Sequence, residues 1–227
     1  MVVLPRLYAI LDASFFSDAS SMLAAAEELR AAGCTLIQYR NKSGNARVML
    51  KQARELKGVL PLLAQHSRFS EDQEVARPKS DWGGSSLTLI MNDRADLCLA
   101  AEFEGVHVGQ DDLSPKAARG IIGPDRWLGV STHNPEQLRE ADLTSADYLA
   151  IGPVFTTASK EKPDPVVGLE GVRRARNLTR KPLVAIGGIT RANAVSVIEA
   201  GADSVAVISD LVQDPGKSAE EFFRILR

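Results

Sequence analysis

Apolar residues along the chain fall into two alternating arrangements. Short, mostly apolar runs at 7–12, 35–40, 87–92, 105–109, 127–132, 148–153, 182–188 and 204–210 read as buried strands. Between them, stretches such as 19–32, 44–58, 115–122, 168–177, 190–200 and 218–227 place apolar residues every three or four positions, the period of a helix with one buried face. Several of these stretches open on Asp, Ser, Thr or Asn, which cap helices, and Gly33 and Gly201 read as helix stops. Eight strands, each followed by a helix, predict an α/β chain folded as a single (β/α)8 TIM barrel over residues 1–227. An open doubly wound sheet is the alternative arrangement.

One segment departs from this rhythm. Residues 66–86, between the second helix and the third strand, are polar, carry Pro78 and Gly83-Gly84, and keep no period. A helix-to-strand connection leaves from the N-terminal face of a barrel, the face concerned with stability, so the segment is expected to be a surface insertion without a catalytic role. Phe69 and Trp82 leave room for a partner contact there.

At 227 residues the chain is long enough for one barrel and short for two full domains. With 44% hydrophobic and 25% charged residues it has the composition of a globular protein. Its net charge of −2 removes the generic argument for a nucleic-acid or membrane-surface partner, so any recognition of anions must be local. Cys34 and Cys98 lie in apolar surroundings without metal-ligand spacing and read as reduced core residues. No apolar stretch reaches the length of a membrane span, and the first residues lack the run of a secretory signal, so a cytoplasmic location is expected. The oligomeric state is left open, a homo-oligomer included.

In a barrel the C-terminal strand ends and the loops after them build the active site. At the second strand end, a period of two puts Gln38, Arg40 and, if the strand continues, Lys42 on the inner face, with Ile37 and Tyr39 toward the helices. Two inward cations suit a polyanion such as pyrophosphate; a buried ion-pair network with acidic neighbours is the other reading. Asn92-Asp93 and Asp112 fall at the ends of the third and fourth strands. Two carboxylates from adjacent loops make a Mg2+ site that leaves room for phosphate oxygens, although each Asp could instead cap a helix or shape a turn.

Ser131 can offer a hydroxyl from the fifth strand. His133 reads mainly as a loop residue near a helix cap, and His107 as a satisfied core residue. After the sixth strand, Thr156-Thr157-Ala158-Ser159-Lys160 is either an anion receptor or simply a polar loop, and 156–165 is the candidate lid. Gly187-Gly188 and Ile208-Ser209 stand where barrels commonly bind phosphate through backbone amides.

Taken together, these stretches closely resemble the thiamine-phosphate synthase (thiamin-phosphate pyrophosphorylase) family from residue 7 to about 212, the insertion apart. The resemblance rests on Gln38-Tyr39-Arg40-Asn41-Lys42, Asn92-Asp93-Arg94, Gly105-Val106-His107-Val108-Gly109-Gln110-Asp111-Asp112-Leu113, Gly129-Val130-Ser131-Thr132-His133, Gly152-Pro153-Val154-Phe155 with Thr157 and Lys160, and Ala185-Ile186-Gly187-Gly188-Ile189. It implies a Mg2+-dependent transferase joining 4-amino-5-hydroxymethyl-2-methylpyrimidine diphosphate to a thiazole phosphate with loss of pyrophosphate. By motif, Gln38, Arg40, Lys42, Asn92, Ser131 and Lys160 would hold the pyrimidine diphosphate, and Asp93 and Asp112 the metal. Thr157, Ser159, Gly188, Ile208 and Ser209 would hold the thiazole phosphate, with Tyr39, Asn41 and Ala158 included in the binding segments. Arg40, Lys42 and Lys160 would stabilise the departing charge in a dissociative reaction. The chain departs from the family in having Thr156 where Pro is common, Ser159 where Thr is common, and the insertion. The alternative within the superfamily is a thiazole tautomerase, which needs no pyrophosphate–metal set.

Overall fold

The computed structural model describes residues 2–60, 87–157 and 164–227. Their strands β1 (Leu7–Asp12), β2 (Leu36–Arg40), β3 (Thr88–Asn92), β4 (Gly105–Val108), β5 (Trp127–Thr132), β6 (Tyr148–Ile151), β7 (Leu183–Ile186) and β8 (Ser204–Val207) close in sequence order into a parallel barrel. The helices are α1 (Ala19–Ala31), α2 (Ala46–Val59), α3 (Ala95–Ala100), α4 (Pro115–Ile122), α5 (Pro135–Asp142), α6 (Gly168–Leu178), α7 (Ala194–Glu199) and α8 (Pro215–Ile225). The closed order of strands excludes the open doubly wound sheet. The expected insertion at 66–86 lies outside the described residues.

Local chemistry explains most element boundaries. Asp18, Asn45, Ser114, Asn134 and Asp214 each accept a backbone N–H from the first turn of the helix they precede. Pro at the first helical position pre-sets α4, α5 and α8, so the last helix begins at Pro215 rather than at 218 as the apolar period suggests. The strand expected at 182–188 stops at Ile186 because Gly187 and Gly188 take φ of 100° and 64°.

The period-two alternation of the strands separates two apolar clusters. Ile37, Tyr39, Met91, Val106, Val108 and their neighbours face the helices. Tyr8, Ile10, Leu36, Ile90, Trp127, Tyr148, Ala150, Val184 and Ala206 fill the barrel interior, with Val2 and Leu4 packed into the same cluster. Burial of side chains as large as Trp127 and Tyr148 is worth roughly 1.5–3 kcal/mol each relative to exposure.

The N-terminal rim repeats one device three times. Glu104, Asp147 and Asp203, each just before an even-numbered strand, accept the backbone N–H of Leu89, Leu128 and Leu183 on the preceding strand, each at 2.8 Å. Each carboxylate also pairs with a cation from an outer helix: Lys57 of α2, Arg119 of α4 and Arg176 of α6. Strand-to-strand and helix-to-strand contacts are thereby fixed through a single side chain.

Candidate active site

The opposite rim opens on a cavity of about 450 Å3 lined from almost every strand. From β1 to β5 the wall runs through Tyr8, Ile10, Gln38, Arg40, Lys42, Asn92, Asp93, His107, Asp112 and Ser131. From β6 to β8 it includes Gly152, Thr157, Gly187, Gly188, Ile208 and Ser209. Residues predicted from separate strand ends are therefore brought to one space.

Their contacts refine the expectations. Arg40 Nη1 is ion-paired with Asp12, a carboxylate at the end of β1 that is 2% exposed, and Lys42 Nζ is ion-paired with Asp93. The acidic neighbours foreseen as the other reading are thus present. They do not exhaust the donors, because a guanidinium carries five N–H groups and an ammonium three, and both side chains still line the cavity. Asp12 is itself fixed by Ser14, which donates its N–H at 3.0 Å and its hydroxyl at 2.7 Å.

Asp93 adopts φ 61°, unusual for a residue other than glycine, while its N–H donates to the His107 carbonyl at 2.8 Å. Asp112 accepts the Gly109 N–H at 2.8 Å, and a Cβ added at Gly109 would lie only 3.0 Å from that same oxygen. Burial, and then the facing Asp93 carboxylate, hold Asp112 above the usual carboxylate range, with Lys42 opposing. Two facing carboxylates that resist being charged together form a donor set that a divalent cation would relieve. Among the described residues no group of three or more His, Cys, Asp or Glu could hold a metal, so further ligands would have to be oxygens of substrate or water.

Asn92 is buried and its Nδ2 has no hydrogen-bond partner, an orphaned donor in the cavity wall. Tyr39 and Asn41 do not line the cavity. The Tyr39 hydroxyl donates to Gln52 Oε1 of α2 at 2.6 Å, and Asn41 Nδ2 donates to that oxygen at 2.9 Å and to the Tyr39 hydroxyl at 3.1 Å. Both side chains brace the strand end against the helix layer. Ala158, Ser159, Lys160 and most of the candidate lid lie outside the described residues.

At the other end, the loop after β7 is packed tightly. A Cβ at Gly188 would lie 2.5 Å from the Thr156 carbonyl oxygen, and one at Gly187 would lie 2.5 Å from Pro153 Cβ. Asn193 accepts the Thr190 N–H at 2.8 Å and donates to the Gly188 carbonyl at 3.0 Å. Arg191 ties this loop to the next. Its backbone N–H and its Nε both donate to Asp210 Oδ2, at 2.8 and 3.0 Å, its Nη2 donates to Asp210 Oδ1 at 3.1 Å, and Nη1 pairs with Glu221. Neither Arg191 nor Asp210 lines the cavity, yet Asp210 follows Ser209 directly.

Several residues of the site were not singled out by sequence. Tyr8 in the wall, and Asp12 and Tyr148 behind it, lie in runs that read as plain buried strands. His107, expected to be a satisfied core residue, is buried and hydrogen-bonded, but it also faces the cavity. Burial pushes its pKa down to about 4, with Asp112 opposing, so the ring is neutral at neutral pH. His133 Nδ1 lies 2.6 Å from the Gly152 carbonyl oxygen, and Nε2 lies 3.6 Å from Asp164. The ring therefore links the loops after β5 and β6.

Residues 79–211 match the family model described as thiamine monophosphate synthase. The chain is 56% identical to the thiamine-phosphate synthase of Koribacter versatilis, over 98% of this chain and 96% of that protein. It is 39% identical to the thiamine-phosphate synthase of Chloroflexus aurantiacus, over 91% of this chain and 85% of that protein. Among solved structures, the thiamine phosphate pyrophosphorylase of Pyrococcus furiosus superposes with a TM-score of 0.76 at 31% identity, covering 97% of this chain and 95% of that one.

Proposed function

The chain belongs to the thiamine-phosphate synthase family of transferases, and from that premise we propose that it joins 4-amino-5-hydroxymethyl-2-methylpyrimidine diphosphate to a thiazole phosphate, releasing pyrophosphate. The observation that carries this reading is the polarity of the cavity wall. Cationic, amide and carboxylate groups from β2 to β5 stand on one arc, and backbone-rich turns after β7 and β8 on the other. One arc suits a diphosphate and the other a monophosphate held through amide N–H groups.

Arg40, Lys42, Asn92 and Ser131 would bind the diphosphate and stabilise the charge that grows as its bond to the pyrimidine methylene breaks. Asp93 and Asp112 would hold Mg2+, which when bound neutralises diphosphate oxygens. Lys160, by motif, would add a third cation. The electron pair leaves with pyrophosphate, the ring amino group offsets the methylene cation, and the thiazole nitrogen closes the new C–N bond. Gly188, Ile208 and Ser209, with Thr157 and Ser159, would place that nitrogen by gripping the distant phosphate. Such placement can be worth about 7–11 kcal/mol when alignment is complete.

No protein nucleophile is needed in this scheme. A tautomerase would leave Arg40, Lys42, Asp93 and Asp112 without a task, since it releases no pyrophosphate. The same proposal takes the enzyme as a single barrel domain over 1–227 with a surface insertion at 66–86. It also places the enzyme in the cytoplasm, where the free, buried Cys34 and Cys98 remain thiols.

The test is pyrophosphate release. It is expected only with both substrates and Mg2+ together, in step with formation of thiamine phosphate. Absence of release with both substrates, or release indifferent to thiazole phosphate, would overturn the reading.

A further inference from the structure

Beneath the charged rim, a chain of buried polar groups crosses the barrel interior. Gln38 Nε2 donates to the Tyr8 hydroxyl at 2.8 Å, and the Tyr8 and Tyr148 hydroxyls are 3.0 Å apart. The Tyr148 hydroxyl is 3.1 Å from His107 Nδ1, and His107 Nε2 is 2.8 Å from Ser131 Oγ. Five side chains from β1, β2, β4, β5 and β6 are thus joined, and both ends of the chain, Gln38 and Ser131, are groups that the synthase reading places on substrate.

We propose that Tyr8, Tyr148 and His107 are positioning residues that hold the imidazole as its Nε2-protonated tautomer. Ser131 then offers its O–H to the departing diphosphate, and Gln38 offers its carbonyl oxygen to an amino group on the heteroaromatic ring. The inference rests on the synthase reading and adds to it the means by which the cavity's donor and acceptor pattern is set.

A neutral imidazole carries one N–H and one lone pair. With the proton on Nε2, the ring donates to Ser131 Oγ and accepts from the Tyr148 O–H. Tyr148 in turn accepts from the Tyr8 O–H, and Tyr8 accepts from Gln38. Every proton in the chain finds an acceptor. The Ser131 proton remains to point at the end of the cavity lined by Arg40 and Lys42, where an anion belongs.

With the proton on Nδ1 the chain runs backward. Ser131 donates inward and shows the cavity only lone pairs. Tyr8 then receives from both Gln38 and Tyr148, and its own proton, on a residue 1% exposed, has no acceptor among the described residues. With the Gln38 amide as placed, only the forward order satisfies the chain; with the amide turned the backward order would satisfy it too, but only the forward order turns the Ser131 proton toward the anion.

The backbone is cut to fit this contact. A Cβ added at Gly129 of β5 would stand 2.2 Å from Tyr148 Cζ, 2.4 Å from its hydroxyl oxygen and 2.4 Å from His107 Nδ1. The absence of a side chain at that position is what lets the phenol reach the imidazole. The two rings lie 5.5 Å apart between centroids, tilted by 32°, and Trp127 and Tyr8 pack on Tyr148 from other sides.

The test combines kinetics with a spectroscopic readout. Tyr148→Phe keeps the ring packing and deletes only the hydroxyl. It is expected to lower kcat/KM for the pyrimidine diphosphate roughly tenfold, the scale of one hydrogen bond, while leaving the KM for thiazole phosphate unchanged. In a Ser131→Ala background the same change should matter less than about twofold, because the two act through one hydroxyl. His107→Gln, which retains an N–H near the Nε2 position, should keep more activity than His107→Ala. In the unaltered protein, nitrogen-15 spectra with Mg2+ and inorganic pyrophosphate should show a neutral, Nε2-protonated His107. Equal losses from Tyr148→Phe in both backgrounds, no advantage of Gln over Ala, or an Nδ1-protonated ring would overturn the proposal. If the unaltered protein makes no thiamine phosphate, the synthase reading fails, while the tautomer measurement still decides the chain's polarity.

Discussion

The two rims of the barrel treat carboxylates in opposite ways. On the N-terminal rim, Glu104, Asp147 and Asp203 each meet a backbone N–H and a cation, so their charges are compensated within the fold. On the C-terminal rim, Asp93 and Asp112 face each other, Asp93 sits at positive φ, and the neighbouring Asn92 amide is left unpartnered. The same residue types thus stabilise one end of the molecule and cost stability at the other. Mutual repulsion of carboxylates is retained where a ligand can relieve it, and gives way to ion pairs at the rim where none is expected.

This contrast can be broken at either end. The largest effect is expected from Arg40→Ala, which should lower turnover by about 10²–10³-fold, the loss typical of one donor to developing negative charge. Thermal stability should fall as well, because both Ser14 contacts go to Asp12 Oδ1 and the buried Oδ2 loses its cation. Near-normal turnover would remove Arg40 from the chemistry.

Asp112→Asn should separate function from stability more sharply. The folded state holds the Asp112 proton more tightly than the unfolded chain does, so the metal-free protein loses stability as pH rises from the usual carboxylate range through the raised folded value. The variant lacks that loss. It should melt above the parent at pH 7 without metal, and the difference should close as pH falls below 3.8, the group's ordinary value. Added Mg2+ should raise the melting temperature of the parent but not of the variant, with turnover lost in the latter. A variant that melts lower at neutral pH would show that the facing carboxylates do not repel.

Asp147→Asn probes the other rim and should have the smallest effect on catalysis. It removes the charge shared by the Leu128 N–H and Arg119, and should cost about 1–3 kcal/mol in chemical denaturation. The kinetic constants should stay at parental values. A change in turnover as large as the change in stability would mean that the rims are coupled.

Much of this arrangement is legible from residues alone, and the remainder is hidden for identifiable reasons. Strands at 7–12 and 127–132 are recovered with their ends, because the apolar run and the buried segment coincide. The run at 182–188 is too long by two residues at its C-terminal end, since Gly187 and Gly188 are compatible with a strand on paper but turn out of it, and by Pro182 at its start. Helices α3 and α5 are not singled out individually: α3 is six residues long with no side-chain cap, although Asn134-Pro135 does carry a start signal for α5.

At the site, Arg40, Lys42, Asp93 and Asp112 are visible because charges at strand ends stand out against apolar runs. Tyr39 and Asn41 share the same motif, yet their side chains serve α2. Tyr8 and Tyr148 stay hidden because an aromatic residue within an apolar strand reads as core, and their hydroxyls meet across 140 residues of sequence. His107 reads as core for the same reason, and only the alignment of β4 with β5 brings it beside Ser131.

The packing of Gly187 and Gly188 carries a consequence for redesign of the phosphate end. Val154 and Phe155 donate their N–H groups to the Ile186 and Gly187 carbonyls, both at 2.9 Å, so the segment leaving β6 runs along the turn that leaves β7. A side chain at 188 would collide with the Thr156 carbonyl before it reached any ligand. Enlarging that end to admit a bulkier phosphate ester therefore requires replacing both connections as one cassette. Changing either of them by single substitutions pits one half of the receptor against the other.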